Sequence, residues 1–152
     1  MSDEIEIRPC AGTTEWPRLV EVWRSAVEAT HDFLTPDDVE YFESRLASDY
    51  LPQVDLTVAT VAGEIVGFVG LADGGLEMLF VEDEHRGRGI GTLLLRDALA
   101  RSATLRVDVN EQNERALGFY LRHGFHRVGR SATDQDGRPY PILHLEYREP
   151  PP

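Results

Sequence analysis

Residues 82–92, EDEHRGRGIGT, hold the residue types that recognise an anion. Gly87, Gly89 and Gly91 alternate with Arg88 and Ile90 just before an apolar helical run. Glycine reaches positive φ and lets a ligand approach the backbone, so that successive N–H groups can converge at a helix N-terminus. Such a loop is an anion cradle; taken alone, it also reads as a flexible strand-to-helix connection. Arg86 and Arg88 add side-chain charge that suits a pyrophosphate better than a lone carboxylate. A dinucleotide fingerprint fits badly, because Thr92 stands where GxGxxG needs its third glycine. All 15 basic residues are arginine, which excludes a Walker phosphate loop with its Gly-Lys-Ser/Thr. The single cysteine, Cys10, excludes an internal disulfide and a cysteine-rich zinc site. Only His123 and His126 among the histidines are closely spaced, and no metal centre is expected.

The elements that must carry this loop follow from hydrophobic period. Residues 4–8 alternate as an opening strand, and Leu19, Val20, Trp23, Ala26 and Val27 repeat at helical spacing over 14–30. Thr35-Pro36-Asp37-Asp38 is a helix start, with a capping hydroxyl, proline at the first helical position and acids at the positive dipole end. Its helix points Val39, Phe42 and Leu46 inward. Short apolar runs at 56–61, 65–71 and 76–81, separated by Gly63-Glu64 and Gly74-Gly75 turns, predict an antiparallel meander. A helix at 90–101, a strand at 104–109, a helix at 113–123 and strands near 125–132 and 141–147 complete the order. This predicts an α/β class (a mixed α+β sheet) of about seven strands and four helices, with helices on both faces.

A chain of 152 residues with 41% hydrophobic and 28% charged residues is expected to form one domain over 1–149, with a disordered tail at 150–152. No run of 18 apolar residues occurs and the N-terminus begins acidic, so a cytoplasmic location with no membrane partner is expected. The net charge of −12 argues against a nucleic-acid partner. The charge is uneven: residues 1–85 hold 19 acids and 4 arginines, and 86–152 hold 8 acids and 11 arginines. Two ligand faces of opposite sign would account for this, as would an acidic surface that serves solubility.

The pattern Arg86-x-x-Gly89-x-Gly91 after strand LEMLFV, followed by Asn113-x-x-Ala116-x-x-x-Tyr120-x-x-x-Gly124-Phe125, resembles the GNAT superfamily of acyl-coenzyme A-dependent N-acetyltransferases. ATHDFL (29–34), VNEQNERALGFY (109–120) and YPILHLEY (140–147) resemble its small bacterial YjaB-type branch. The resemblance implies acetyl-CoA as co-substrate and direct attack by a primary amine of a small molecule or peptide in a ternary complex. It further implies that the backbone of Leu79, Phe80 and Val81 pairs with the pantetheine arm and donates to the thioester carbonyl. The amides of Arg86, Gly87, Arg88, Gly89, Ile90, Gly91 and Thr92 would hold the pyrophosphate, and Asn113 would bond the cofactor arm. Tyr120 matches the family's tyrosine, which protonates the departing thiolate.

Each assignment has a plainer counterpart. Leu79–Val81 also reads as a core strand, Asn113 as a helix N-cap, and Tyr120 as a core aromatic on the face shared by Ala116, Phe119 and His123. For the base, the resemblance offers Glu77, Asp108 and His31, with Glu77 preferred. Glu77 and Asp108 equally suit solvent-facing strand positions, and His31 the end of the first helix. His144 is a further candidate that also reads as a satisfied sheet histidine. A non-catalytic acetyl-CoA binding module is the alternative function, and monomer and homodimer both stay open. Residues 18–49 carry eight acids against three arginines, so the first two helices are expected to line a cleft for a cationic acceptor, with Trp23, Phe33 and Tyr41 as its wall.

Overall fold

The computed structural model describes residues 4–30, 34–102 and 104–149. His31, Phe33 and the tail at 150–152 lie outside the described residues. The elements run β1 (Ile5–Pro9), α1 (Trp16–Thr30), α2 (Pro36–Arg45), β2 (Asp55–Val61), β3 (Glu64–Ala72), β4 (Gly75–Val81), α3 (Ile90–Arg101), β5 (Arg106–Asn110), α4 (Glu114–Arg122), β6 (Phe125–Ser131) and β7 (Ile142–Tyr147). The order is the one hydrophobic period predicts. Helix α2 begins where the Thr35 side chain accepts from the Asp38 N–H at 3.1 Å, a cap worth about 1 kcal/mol. Beyond Arg45 the chain loosens into a π turn (Leu46–Tyr50) and a 3-10 turn (Leu51–Gln53) before β2.

The strands form one sheet in the order β1-β2-β3-β4-β5-β7-β6. Every pairing is antiparallel except β4 with β5. Because strand side chains alternate between faces, the sheet supports two cores. On one face, Ile90, Leu94, Leu95 and Ala98 of α3 and Tyr120 of α4 pack against Val66, Val107, Val109, Leu143 and Leu145. On the other, Leu19, Val22, Trp23 and Val27 of α1 and Val39 of α2 pack against Val58, Phe68 and Met78. Helix α3 comes close to the sheet over Gly67, where a Cβ would lie 3.2 Å from Ile90 Cγ2 and 3.3 Å from Leu94 Cδ1. No described helix is long and apolar enough to cross a membrane.

Candidate active site

The parallel pair β4–β5 holds together only at its start, through Gly75↔Arg106 and Leu76↔Val107. Past that point β4 continues to Val81 paired only to β3, and β5 turns away. The backbone of residues 77–81 therefore presents an edge with no strand beside it, at the mouth of a cavity of about 790 Å³. An open strand edge bonds an extended ligand as if it were another strand. Leu79 and Val81 lean toward the α3 core, while Phe80 packs toward Phe68 with ring centroids 5.8 Å apart.

Glu77 is the extra residue of a β-bulge, since Met78 faces Gly70 and Leu76 faces Leu71 with nothing opposite Glu77. A bulge re-aims the side chain it carries. Glu77 is thereby brought to the junction of the first cavity with a second, of about 510 Å³, and lines both. Asp108, exposed on β5, lines both as well. Desolvation by the cleft walls pushes the Glu77 carboxyl above the usual carboxylate range, and the charge of Asp108 adds to this while Arg106 opposes it.

The glycine loop takes the geometry that an anion cradle requires. Gly87 and Gly89 sit at φ +80° and +81°, and a Cβ at either position would meet nothing within 4 Å. Gly89 is the N-cap of α3 and supplies no side-chain cap, so the first turn of that helix faces the cleft without one. Arg86 lines the same cavity; it lies 2.5 Å from Asp83, yet its Nε and Nη1 are buried without a hydrogen-bond partner. Buried guanidinium donors left unbonded, beside an uncapped helix start, fit a phosphate-bearing ligand. Helix α1 braces the loop, with Ser25 Oγ accepting from the Asp83 N–H at 3.1 Å and Arg18 bonding Glu82 at 2.9 Å. Gly91 has a different part: a Cβ there would touch the Phe119 ring at 3.6 Å, an ordinary contact. The Thr92 hydroxyl is 3.1 Å from His123 Nε2, and His123 Nδ1 is 2.7 Å from the Phe119 carbonyl. His123 therefore ties α4 to the first turn of α3, while His126 is exposed on β6.

Tyr120 is at once a core aromatic and a cavity-lining residue. Its ring is buried between Phe119 and Phe125, each 5.2 Å away centroid to centroid, yet the residue lines the first cavity. Burial raises its phenol above the usual value, and no described residue hydrogen-bonds its hydroxyl. A phenol in that state is a proton donor. Asn113 Oδ1 accepts from the Ala116 N–H at 3.1 Å at the start of α4, and the residue also lines the first cavity.

The second cavity departs from expectation in which acids line it. Its acidic lining comes from Asp73, Glu77, Asp108, Asp134 and Asp136, on the β3–β4 turn, β4, β5 and the β6–β7 loop. The helical acids expected there are held elsewhere. Glu21 pairs with Arg18, Glu28 and Glu43 with Arg24, Asp38 with Arg138, and Asp49 with Arg45. Asp37 and Glu40 make no ion pair among the described residues but line neither cavity, so the cleft's acids come from four later segments, Asp136 among them with Arg45 3.8 Å away. Trp23 does line the cavity, with Val27, Leu34 and Phe42. Tyr41 instead lies under the Arg138 guanidinium, 3.9 Å from its ring centroid. Sequence reasoning missed Asp73, Asp134 and Asp136 because each reads locally as a turn residue.

The model of the Acetyltransferase (GNAT) domain matches residues 23–140. The peptidyl-lysine N-acetyltransferase YjaB of Salmonella typhimurium is 44% identical over 134 residues, covering 88% of this chain and 92% of that protein. The Escherichia coli YjaB is 41% identical over 88% of this chain and 90% of that protein. The solution structure of apo-form YjaB from Escherichia coli superposes with a TM-score of 0.87 at 40% identity, covering 95% of this chain and 97% of that one. The PaiA N-acetyltransferase of Thermoplasma acidophilum, solved in complex with coenzyme A, shares the fold with a TM-score of 0.79 at 20% identity, over 96% and 99% of the two chains.

Proposed function

The chain belongs to the GNAT acetyltransferase family, and on that premise we propose that its acetyl-CoA-dependent N-acetyl transfer is directed at a cationic primary amine, the lysine side chain of a peptide included. The observation that carries this is the second cavity: five acids line it and, among the described residues, no arginine or histidine does. Apolar walls from Trp23, Val27 and Phe42 suit the methylene stem of such an acceptor. The YjaB relatives are named as peptidyl-lysine N-acetyltransferases, which agrees with this chemistry and disfavours a non-catalytic binding module.

Acetyl-CoA, when bound, supplies an acetyl thioester. The residues that would hold it are the free edge of Leu79–Val81 for the extended arm and the 86–92 loop with the Arg86 guanidinium for the phosphates. Glu77, its carboxyl raised, takes a proton from the acceptor's ammonium at the junction. A backbone N–H of the β4 edge polarises the acyl carbonyl. Tyr120 gives its proton to the departing sulfur and excludes water with its buried ring. An ammonium acceptor must lose two protons to become an amide; one leaves through Glu77 and the other restores the Tyr120 hydroxyl, whose own proton is now on the thiol.

Initial rates for lysine-containing peptides and polyamines, set against acidic amino acids at low and high salt, test the acceptor class. Cationic acceptors should win, and added salt should lower their kcat/KM, since screening acts over about 8 to 10 Å. A preference for anionic acceptors would overturn the reading.

A further inference from the structure

Asp108 does not stand alone at the junction. Directly opposite it across the antiparallel β5–β7 pair is His144, whose Nδ1 lies 2.7 Å from Asp108 Oδ1. The other ring nitrogen, Nε2, lies 2.7 Å from Ser131 Oγ at the end of β6. Ser131 is not the strand partner of His144; Gly129 is, after a register shift between Arg127 and Gly129. A Cβ on Gly129 would sit 3.4 Å from His144 Cδ2, so the bare glycine lets the imidazole lie over β6 and reach the serine diagonally. A carboxylate only accepts hydrogen bonds, which places a proton on Nδ1, and the serine hydroxyl serves Nε2 whether the ring is neutral or charged. The imidazole is thus fixed at both ends, and the carboxylate it holds is the one that faces both cavities.

We propose that His144, anchored by Ser131, is a positioning residue for acetyl transfer, fixing the Asp108 carboxylate at the junction so that the acceptor's ammonium is held beside Glu77. This rests on the reading that the acceptor enters through the second cavity. Asp108 is half exposed, and a carboxylate on a free strand face would otherwise sample several rotamers. Held in one, it makes a charge-assisted hydrogen bond to the ammonium and keeps its negative charge beside Glu77. The other charged and titratable groups around His144 are Glu146, its neighbour along β7, Arg106 opposite Glu146 on β5, His126 opposite Glu146 on β6, and Asp134 and Asp136 on the cavity wall.

Two substitutions at one position separate the roles. Asn places its amide N–H near the site of Nδ1, and His144→Asn keeps the bond to Asp108. Gln reaches the site of Nε2, and His144→Gln keeps the bond to Ser131 but releases Asp108. Both are assayed from pH 5.5 to 9.5 on whichever amine the wild type acetylates best, with acetyl-CoA affinity and melting temperature as controls. His144→Gln should raise acceptor KM roughly tenfold or more, the scale of one charge-assisted hydrogen bond. It should also move the acid limb of kcat/KM to lower pH, because Asp108 no longer crowds Glu77. His144→Asn should stay within about threefold of wild type, since it retains that bond. Equal effects of the two variants, or a KM increase with an unmoved acid limb, would overturn the proposal. If the best amine proves anionic, the acceptor class fails, while the contrast between the variants still decides the part played by His144.

Discussion

The Glu77 carboxylate folds back over Gly75, so closely that a Cβ at residue 75 would stand 2.6 Å from Glu77 Oε1. The bulge that re-aims Glu77 and the glycine that makes room for it are two residues apart in one strand. Gly75→Ala should therefore displace the carboxylate and lower kcat by roughly tenfold or more, while acetyl-CoA affinity measured by calorimetry stays unchanged. Unaltered kcat in the folded variant would remove Glu77 from the base's role.

Glu77→Gln should remove the acid limb of the pH profile. Burial holds this carboxyl above its ordinary value, with Asp108 adding to the rise, so the ionised base appears only as pH climbs through that raised pKa. Wild-type kcat/KM should accordingly fall on acidification from a higher pH than a free glutamate would set. A limb that persists in Glu77→Gln would assign it to another group.

Tyr120→Phe removes one hydroxyl from a site where no described residue bonds it, so the core should keep its melting temperature. Turnover should fall by roughly 10²- to 10⁴-fold, the range of a positioned general acid. A stability loss matching the rate loss would return Tyr120 to a packing role alone.

Arg86→Gln should weaken acetyl-CoA binding and flatten its salt dependence, because the residue lining the cleft carries a guanidinium whose Nε and Nη1 have no hydrogen-bond partner. Gly89→Val should do the same by two routes. It strains a residue at φ +81° and sets a side chain over the uncapped helix start. Calorimetry at two ionic strengths checks both; unchanged affinity in folded variants would displace the phosphates from this loop.

Asp38 joins α2 to the β6–β7 segment through Tyr140 and Arg138. The Tyr140 hydrogen bond, followed by Thr35 and the Arg138 charge, holds its carboxyl below the usual range. A depressed folded-state pKa gives stability that is complete above the unfolded value and is lost as pH falls through the folded one. Asp38→Asn should lower the melting temperature at pH 7 and show a shallower decline below pH 4 than the wild type. Parallel acid curves for the two proteins would mean the clasp contributes nothing.

The chain's local chemistry was enough to give the element order, the meander, the α2 cap at Thr35, the glycine loop before α3 and the Asn113 cap, because each depends on neighbours within a few residues. It also carried Tyr120, whose motif spacing signals the family although its helix face signals a core. What only the tertiary structure decided are the relations between distant segments. The parting of β4 from β5 after Leu76 leaves the later β4 edge open, yet no residue in either strand marks it. The bulge at Glu77 depends on register against β3, which a one-residue slip would reverse. The acids of the second cavity come from four segments, while most of those concentrated in the helical region pair with arginines, Asp38 with the distant Arg138. The chain Asp108–His144–Ser131 exists because β7 lies between β5 and β6, a placement set by burial of Leu143 and Leu145 on the opposite face. Alternation then puts His144 on the face away from that core, beside Asp108, and pairing rather than sequence distance chooses its partners.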